Sequence, residues 1–172
     1  LGEIKERIGE AGVSFIPRFL HLTMSVVRPT RASPGQRAHG FEFLDHPGDV
    51  KLRAWGRDLE ELFSHAAEGM MSFLFGSGIA NLQPCQMETV EIEAANREAL
   101  LVDWLSELLY RATSEYRAYI GFQINKLTKT ELNATVAAAV AEAIEDIKAV
   151  THHELSIRKH EPGWEATVVF DT

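Results

Sequence analysis

Asp171 and Thr172 close a run, Gly163 to Thr172, that alternates apolar and polar residues to its last position. A strand ending there sets the Asp171 carboxylate beside the α-carboxylate of Thr172. Two anionic oxygen donors at a fixed place begin a site for a hard cation. A second acidic cluster, Asp45-His46-Pro47-Gly48-Asp49, follows a short apolar run near residue 41. Pro47 and Gly48 predict a turn, and Asp49 at its exit can project clear of a sheet ladder. If the first strand pair and the last strand end at one edge, Asp49, Asp171 and the carboxyl group of Thr172 converge. Three negative charges in one place repel unless protonated or bridged, and a bound cation resolves that. Oxygen donors with no soft donor among them suit Ca²⁺ first, then Mg²⁺ or Mn²⁺, rather than Cu or Zn. The competing reading is two ordinary strand ends dressed in solvated charge.

Other chemistry finds little support. There is no Gly-x-Ser-x-Gly elbow, no Gly-rich phosphate loop followed by Lys and Ser or Thr, and no His-Glu-x-x-His pattern. The pair His152-His153 invites a metal reading, but consecutive strand residues point to opposite faces, which disfavours both binding one ion. The single cysteine, Cys85, excludes an intramolecular disulfide framework and a Cys-rich zinc knuckle, and suits a reducing cytoplasm.

These groups need a scaffold, and 172 residues suffice for one domain with a hydrophobic core. The net charge of −8 is uneven: residues 1–40 carry six basic and three acidic residues, so the remainder carries −11. A body that acidic repels a phosphate backbone, so direct nucleic-acid binding is not expected and a partner protein is the expected contact with any RNA. No run approaches the roughly 18 apolar residues that span a bilayer, so no membrane association is expected. Residues 28–40 combine Pro, Gly, Ser and Arg without periodicity, and the chain begins with Leu while Met24 lies further in. Residues 1–40 are read as a flexible or non-native lead-in and 41–172 as the domain.

From residue 41 the pattern is regular. Residues 41–44 and 50–56 alternate as two strands flanking the acidic cluster. Asp58, with Glu61 three residues on, predicts a capped helix start; Leu59, Leu62, Phe63, Ala66, Met70, Phe73 and Leu74 recur at helical spacing, and Gly76 is placed to end the helix. Residues 89–93 read as a strand, and Asn96 caps a second helix whose buried stripe is Leu100, Leu101, Trp104, Leu105, Leu108 and Leu109. Strands follow at about 119–127, 130–136, 147–158 and 163–171. The order lacks the repeated alternation of a doubly wound sheet and predicts an α+β fold, a mostly antiparallel sheet with two main helices packed on one face. The alanine-rich stretch Val136 to Asp146 reads as a short third helix or a surface loop.

Three blocks of sequence carry a family resemblance. Leu44-Asp45-His46-Pro47-Gly48-Asp49-Val50, followed by Trp55-Gly56-Arg57-Asp58-Leu59-Glu60-Glu61, resembles the opening of the archease family, usually Asp/Glu-His-Thr-Ala-Asp and then an aromatic-Gly and a Leu-Glu-Glu helix. Residues 101–110 resemble its second helix, and Ile147-Lys148-Ala149-Val150-Thr151-His152-His153 its Val-Lys-Ala-Val-Thr-Tyr-His strand. The chain departs from the family in having Pro47-Gly48 for Thr-Ala. It also has only the alanine-rich stretch where many relatives carry a Gly-Glu and then a basic-His pair.

The resemblance implies a protein cofactor that activates the RtcB-type tRNA-splicing RNA ligase. That enzyme joins 2′,3′-cyclic phosphate or 3′-phosphate ends to 5′-hydroxyl ends with GTP and Mn²⁺. The activator promotes its guanylylation and multiple turnover and performs no reaction itself. It further implies a metal ion on Asp49, Asp171 and Thr172. Two other readings stand beside it. One is a chaperone-like interaction module for an RNA-modifying protein. The other is a metal-dependent phosphoesterase in which Asp45, His46, Asp49 and Asp171 activate water.

Overall fold

The computed structural model describes residues 40–172, with the side chain of His160 excepted, so the expectations for residues 1–39 lie outside the described residues. Gly40 opens the first strand rather than closing the lead-in.

Strands β1 (Gly40–Leu44), β2 (Val50–Gly56), β6 (Ala149–His160) and β7 (Gly163–Asp171) form an antiparallel sheet in the order β1-β2-β7-β6. Strands β3 (Gln86–Glu93), β4 (Arg117–Leu127) and β5 (Glu131–Val140) form a second, in the order β3-β5-β4, also antiparallel. Helices α1 (Leu59–Phe75) and α2 (Arg97–Ser114) complete the α+β fold expected from the sequence. The structure adds the division of the strands into two sheets, both touched by each helix: α1 packs on β2 and β4, α2 on β6 and β4. That double contact explains why α1 buries Leu62, Phe63, Ala66, Met70 and Met71, a stripe too broad for a helix lying on one surface.

The helix ends follow the sequence signals. Asp58 accepts a hydrogen bond from the Glu61 amide at 2.8 Å, and Asn96 accepts one from the Ala99 amide at 2.8 Å. The Glu61 carboxylate reaches back one residue further than a capping box requires, accepting from the Arg57 amide at 2.9 Å and from Arg57 Nε at 2.7 Å. Gly76 ends α1 at φ 57°, a conformation that favours glycine.

The alanine-rich stretch is neither helix nor wholly loop. Val136 to Val140 belong to β5, the central strand of the three-stranded sheet, and the chain leaves regular structure after Val140. Leu132, Ala134, Val136 and Ala138 alternate into the core, while ladders to β3 and β4 take up the backbone groups on both edges. Two-sided pairing overrides the helix propensity of alanine.

Candidate cation site at the end of the four-stranded sheet

The site begins with strand register. Val50 pairs with Phe170 at the end of the β2–β7 ladder, and Ala149 pairs with Asp171 at the start of the β6–β7 ladder. Asp49, just before β2, and Asp171, at the end of β7, each stand one residue past the Val50–Phe170 pair and therefore lie at the same end of the sheet. Alternation carries the rest: Phe170 is buried in the core, so the next side chain, Asp171, faces away from it and is exposed.

Asp49 is delivered by the five-residue segment 45–49 between β1 and β2. Gly48 sits there at φ 80°, and a Cβ at that position would meet nothing within 4 Å. Glycine is required by backbone conformation rather than by space. Thr172 is held by Lys148: its amide donates to the Asp171 carbonyl at 2.7 Å and its Nζ donates to the main-chain oxygen of Thr172 at 2.9 Å. The structure thus brings Asp49, Asp171 and Thr172 to one edge, and adds Lys148, whose ammonium offsets part of their negative charge. Lys148 stands at the start of the expected strand 147–158 and in a block with family likeness. Nothing in its spacing pointed to the edge.

The donors at this edge are carboxylate and main-chain oxygens, the set that hard divalent cations prefer. Directly beside it, His46 turns Nδ1 toward Asp49 Oδ2 at 3.7 Å and Nε2 toward Glu154 Oε2 at 3.9 Å. Glu154 also contacts Lys51 and lies 3.6 Å from His153 Nε2. Its carboxyl is held below the ordinary value by the hydrogen bond from Lys51, and then by that residue's charge. Glu154 was not singled out from sequence, because the expected alternation along β6 fails there. Thr151 pairs with Val169 and Ser156 with Thr167, so five steps on β6 match two on β7, and Glu154 adopts φ 52° within the bulge.

The sequence profile of the Archease protein family matches residues 41–172. The chain is 31% identical over 140 residues to protein archease of Methanosarcina barkeri, covering 76% of this chain and 94% of that one. It is 33% identical over 143 residues to protein archease of Methanosarcina mazei, with the same coverage of 76% and 94%. The solution structure of Methanobacterium thermoautotrophicum Protein 1598 superposes with a TM-score of 0.61 at 29% identity, over 77% of this chain and 99% of that one. The crystal structure of an archease from Thermotoga maritima, described as a possible chaperone, shares the fold with a TM-score of 0.57 at 20% identity, over 79% of this chain and all of the other. The α+β architecture, the order of the blocks and these relatives agree, and the chain belongs to the archease family.

Proposed function

We propose that this protein is a non-enzymatic activator of an RtcB-type tRNA-splicing RNA ligase, acting through a divalent cation held by Asp49, Asp171 and Thr172. Ca²⁺ is the first candidate and Mg²⁺ or Mn²⁺ the next. The observation that supports it best is the Val50–Phe170 register, which puts two carboxylates from distant parts of the chain at one sheet end. When bound, the cation would supply positive charge at an otherwise anionic tip and so make that tip compatible with a nucleotide phosphate. The chain's own contribution is placement. The Gly48 turn sets Asp49, the β6–β7 ladder sets Asp171, and Lys148 pins the main chain at Thr172. The acidic body supports action through a protein partner rather than on RNA itself. Among the described residues no helix is long and apolar enough to cross a membrane.

The experiment is multiple-turnover ligation by the ligase of the same organism, with wild type, Asp49→Ala and Asp171→Ala. Stimulation by wild type that disappears in both variants supports the reading. Equal stimulation by all three removes the cation from it. Partner binding unaffected by chelation would favour the chaperone-like alternative, and Mn²⁺-dependent turnover of phosphoesters by the pure protein would favour the phosphoesterase.

A further inference from the structure

The bulge in β6 brings His153 and Glu154, neighbours in sequence, up to His46, more than a hundred residues earlier in the chain. His46 comes from the β1–β2 connection, His153 and Glu154 from the bulge, and their ligating atoms all lie within 4.8 Å of one another. We propose that His46, His153 and Glu154 form a second metal site, for a borderline transition ion such as Zn²⁺ or Co²⁺, beside the oxygen-only edge and chemically distinct from it. Two imidazoles and one carboxylate are donors that Zn²⁺ takes readily and Ca²⁺ does not.

The geometry supports this in three ways. With metal–ligand bonds of about 2.0–2.2 Å, ligand atoms around a tetrahedral ion lie about 3.3–3.6 Å apart. His153 Nε2 stands 3.6 Å from Glu154 Oε1 and His46 Nε2 stands 3.9 Å from Glu154 Oε2, so the two imidazoles flank the two oxygens of one carboxylate and loading requires them to close on a common ion. His46 Nδ1 is buried and makes no hydrogen bond, with Asp49 Oδ2 the near carboxylate at 3.7 Å. Metal on Nε2 places the ring proton on Nδ1, and the Asp49 carboxylate is the acceptor it faces, the arrangement that orients metal-bound histidines. Finally, His153 and Glu154 are exposed, 69% and 44% at the side chain, so the ion has an entry path and an open fourth position for water or a partner's side chain.

Lys51 is the competitor. Its ammonium contacts the Glu154 oxygen nearest His46, where the ion would bind, and must swing away on loading. The proposed site takes His153 without His152, in keeping with the alternation that disfavours both binding one ion, and three extra residues on β6 form the bulge that carries it.

The test is titration of the tag-free full chain with Zn²⁺ by calorimetry, and with Co²⁺ by its visible absorption, after circular dichroism has shown each variant folded. The expected result is one Zn²⁺ equivalent, weakened at least about tenfold by His153→Ala and by Glu154→Gln and tightened about tenfold by Lys51→Met. Asp171→Asn is expected to leave Zn²⁺ binding in place while weakening Ca²⁺, which separates this site from the oxygen-only one. Zn²⁺ affinity unchanged in His153→Ala and Glu154→Gln, or no Zn²⁺ uptake by wild type, overturns the proposal. So does Zn²⁺ binding lost equally in Asp171→Asn, which would mean one shared site. An affinity that Lys51→Met leaves the same removes the competition.

Discussion

Asp49, the residue before β2, and Asp171, the last of β7, each stand one residue past the Val50–Phe170 pair that ends the β2–β7 ladder. Asp49 precedes an alternating strand and Asp171 ends one, and the Lys148 ammonium contacts this edge through the main chain of Thr172. An edge with that charge balance gains stability from whatever bridges its carboxylates.

Ca²⁺ at about a hundred times its dissociation constant is therefore expected to raise the unfolding free energy of wild type by about 2.7 kcal/mol. Asp171→Ala should abolish that increment and leave the stability without cation within about 0.5 kcal/mol, because the side chain is exposed. Urea melts with Ca²⁺ and with chelator measure both quantities. An increment that survives in the variant would separate Asp171 from the ion.

Tyr119 predicts an alkaline limb. Its ring is buried and its hydroxyl donates to Glu88 Oε2 at 3.0 Å. Burial, and then the Glu88 carboxylate, push the phenol well above its ordinary value, with Arg111 opposing them. In the unfolded chain the phenol ionises near pH ~10. Above that value the unfolded state releases a proton that the folded state keeps, so the tyrosine's stabilisation is fully present below about pH 10 and declines as pH rises. Tyr119→Phe should cost about 1–2 kcal/mol at neutral pH. It should also flatten the fall in stability above pH ~10, as read from denaturant midpoints across that range.

Gly163 packs against the backbone where β2 ends, at Gly56 and Arg57. A Cβ there would stand 2.2 Å from the Gly56 carbonyl oxygen and 3.1 Å from Arg57 Cα, both backbone atoms that cannot step aside alone. Gly163→Ala is expected to cost about 1–3 kcal/mol in thermal or chemical unfolding. It lies at the far end of the β2–β7 ladder from Asp49, so Ca²⁺ affinity of the folded variant should stay within about twofold of wild type.

Trp104 is the largest fully buried side chain. Its Nε1 donates to the Phe63 carbonyl at 3.2 Å, and its ring meets Phe122 edge-on at 6.1 Å, tying α2 to α1 and to β4 at once. Trp104→Ala should cost about 3–5 kcal/mol. Trp104→Phe should recover most of that loss in the same melt, and a loss as large as alanine's would locate the energy in the hydrogen bond rather than in the ring's volume.

Local chemistry was legible in the sequence wherever one segment decides its own structure. Asp58, Asn96 and Gly76 end helices because capping is a matter of three or four neighbouring residues, and the alternation of β2 and β7 follows from burying one face. Asp49 and Asp171 were legible for the same reason, being polar residues at the ends of such runs. What depends on a partner strand was not. Residues 136–140 look helical until β3 and β4 are placed beside them, and the number of sheets is a property of pairing alone. Glu154 reaches Lys51 across the width of β7 because of the β6 bulge, whose extra residues read in sequence as ordinary strand.

The same pairing fixes when the sheet can be completed during synthesis. β2 lies between β1 and β7, and its partner on the β7 side is encoded more than a hundred residues downstream. Without β7, β1 and β2 have only each other in this sheet, a pair with an open edge, and β6 has no neighbour in it. The last strand is the keystone: it joins β2 to β6 and gathers the acidic edge in one event. An early stop that removed β7 would leave β2 open on one edge, β6 without a partner in its sheet, and the acidic edge without Asp171 and Thr172.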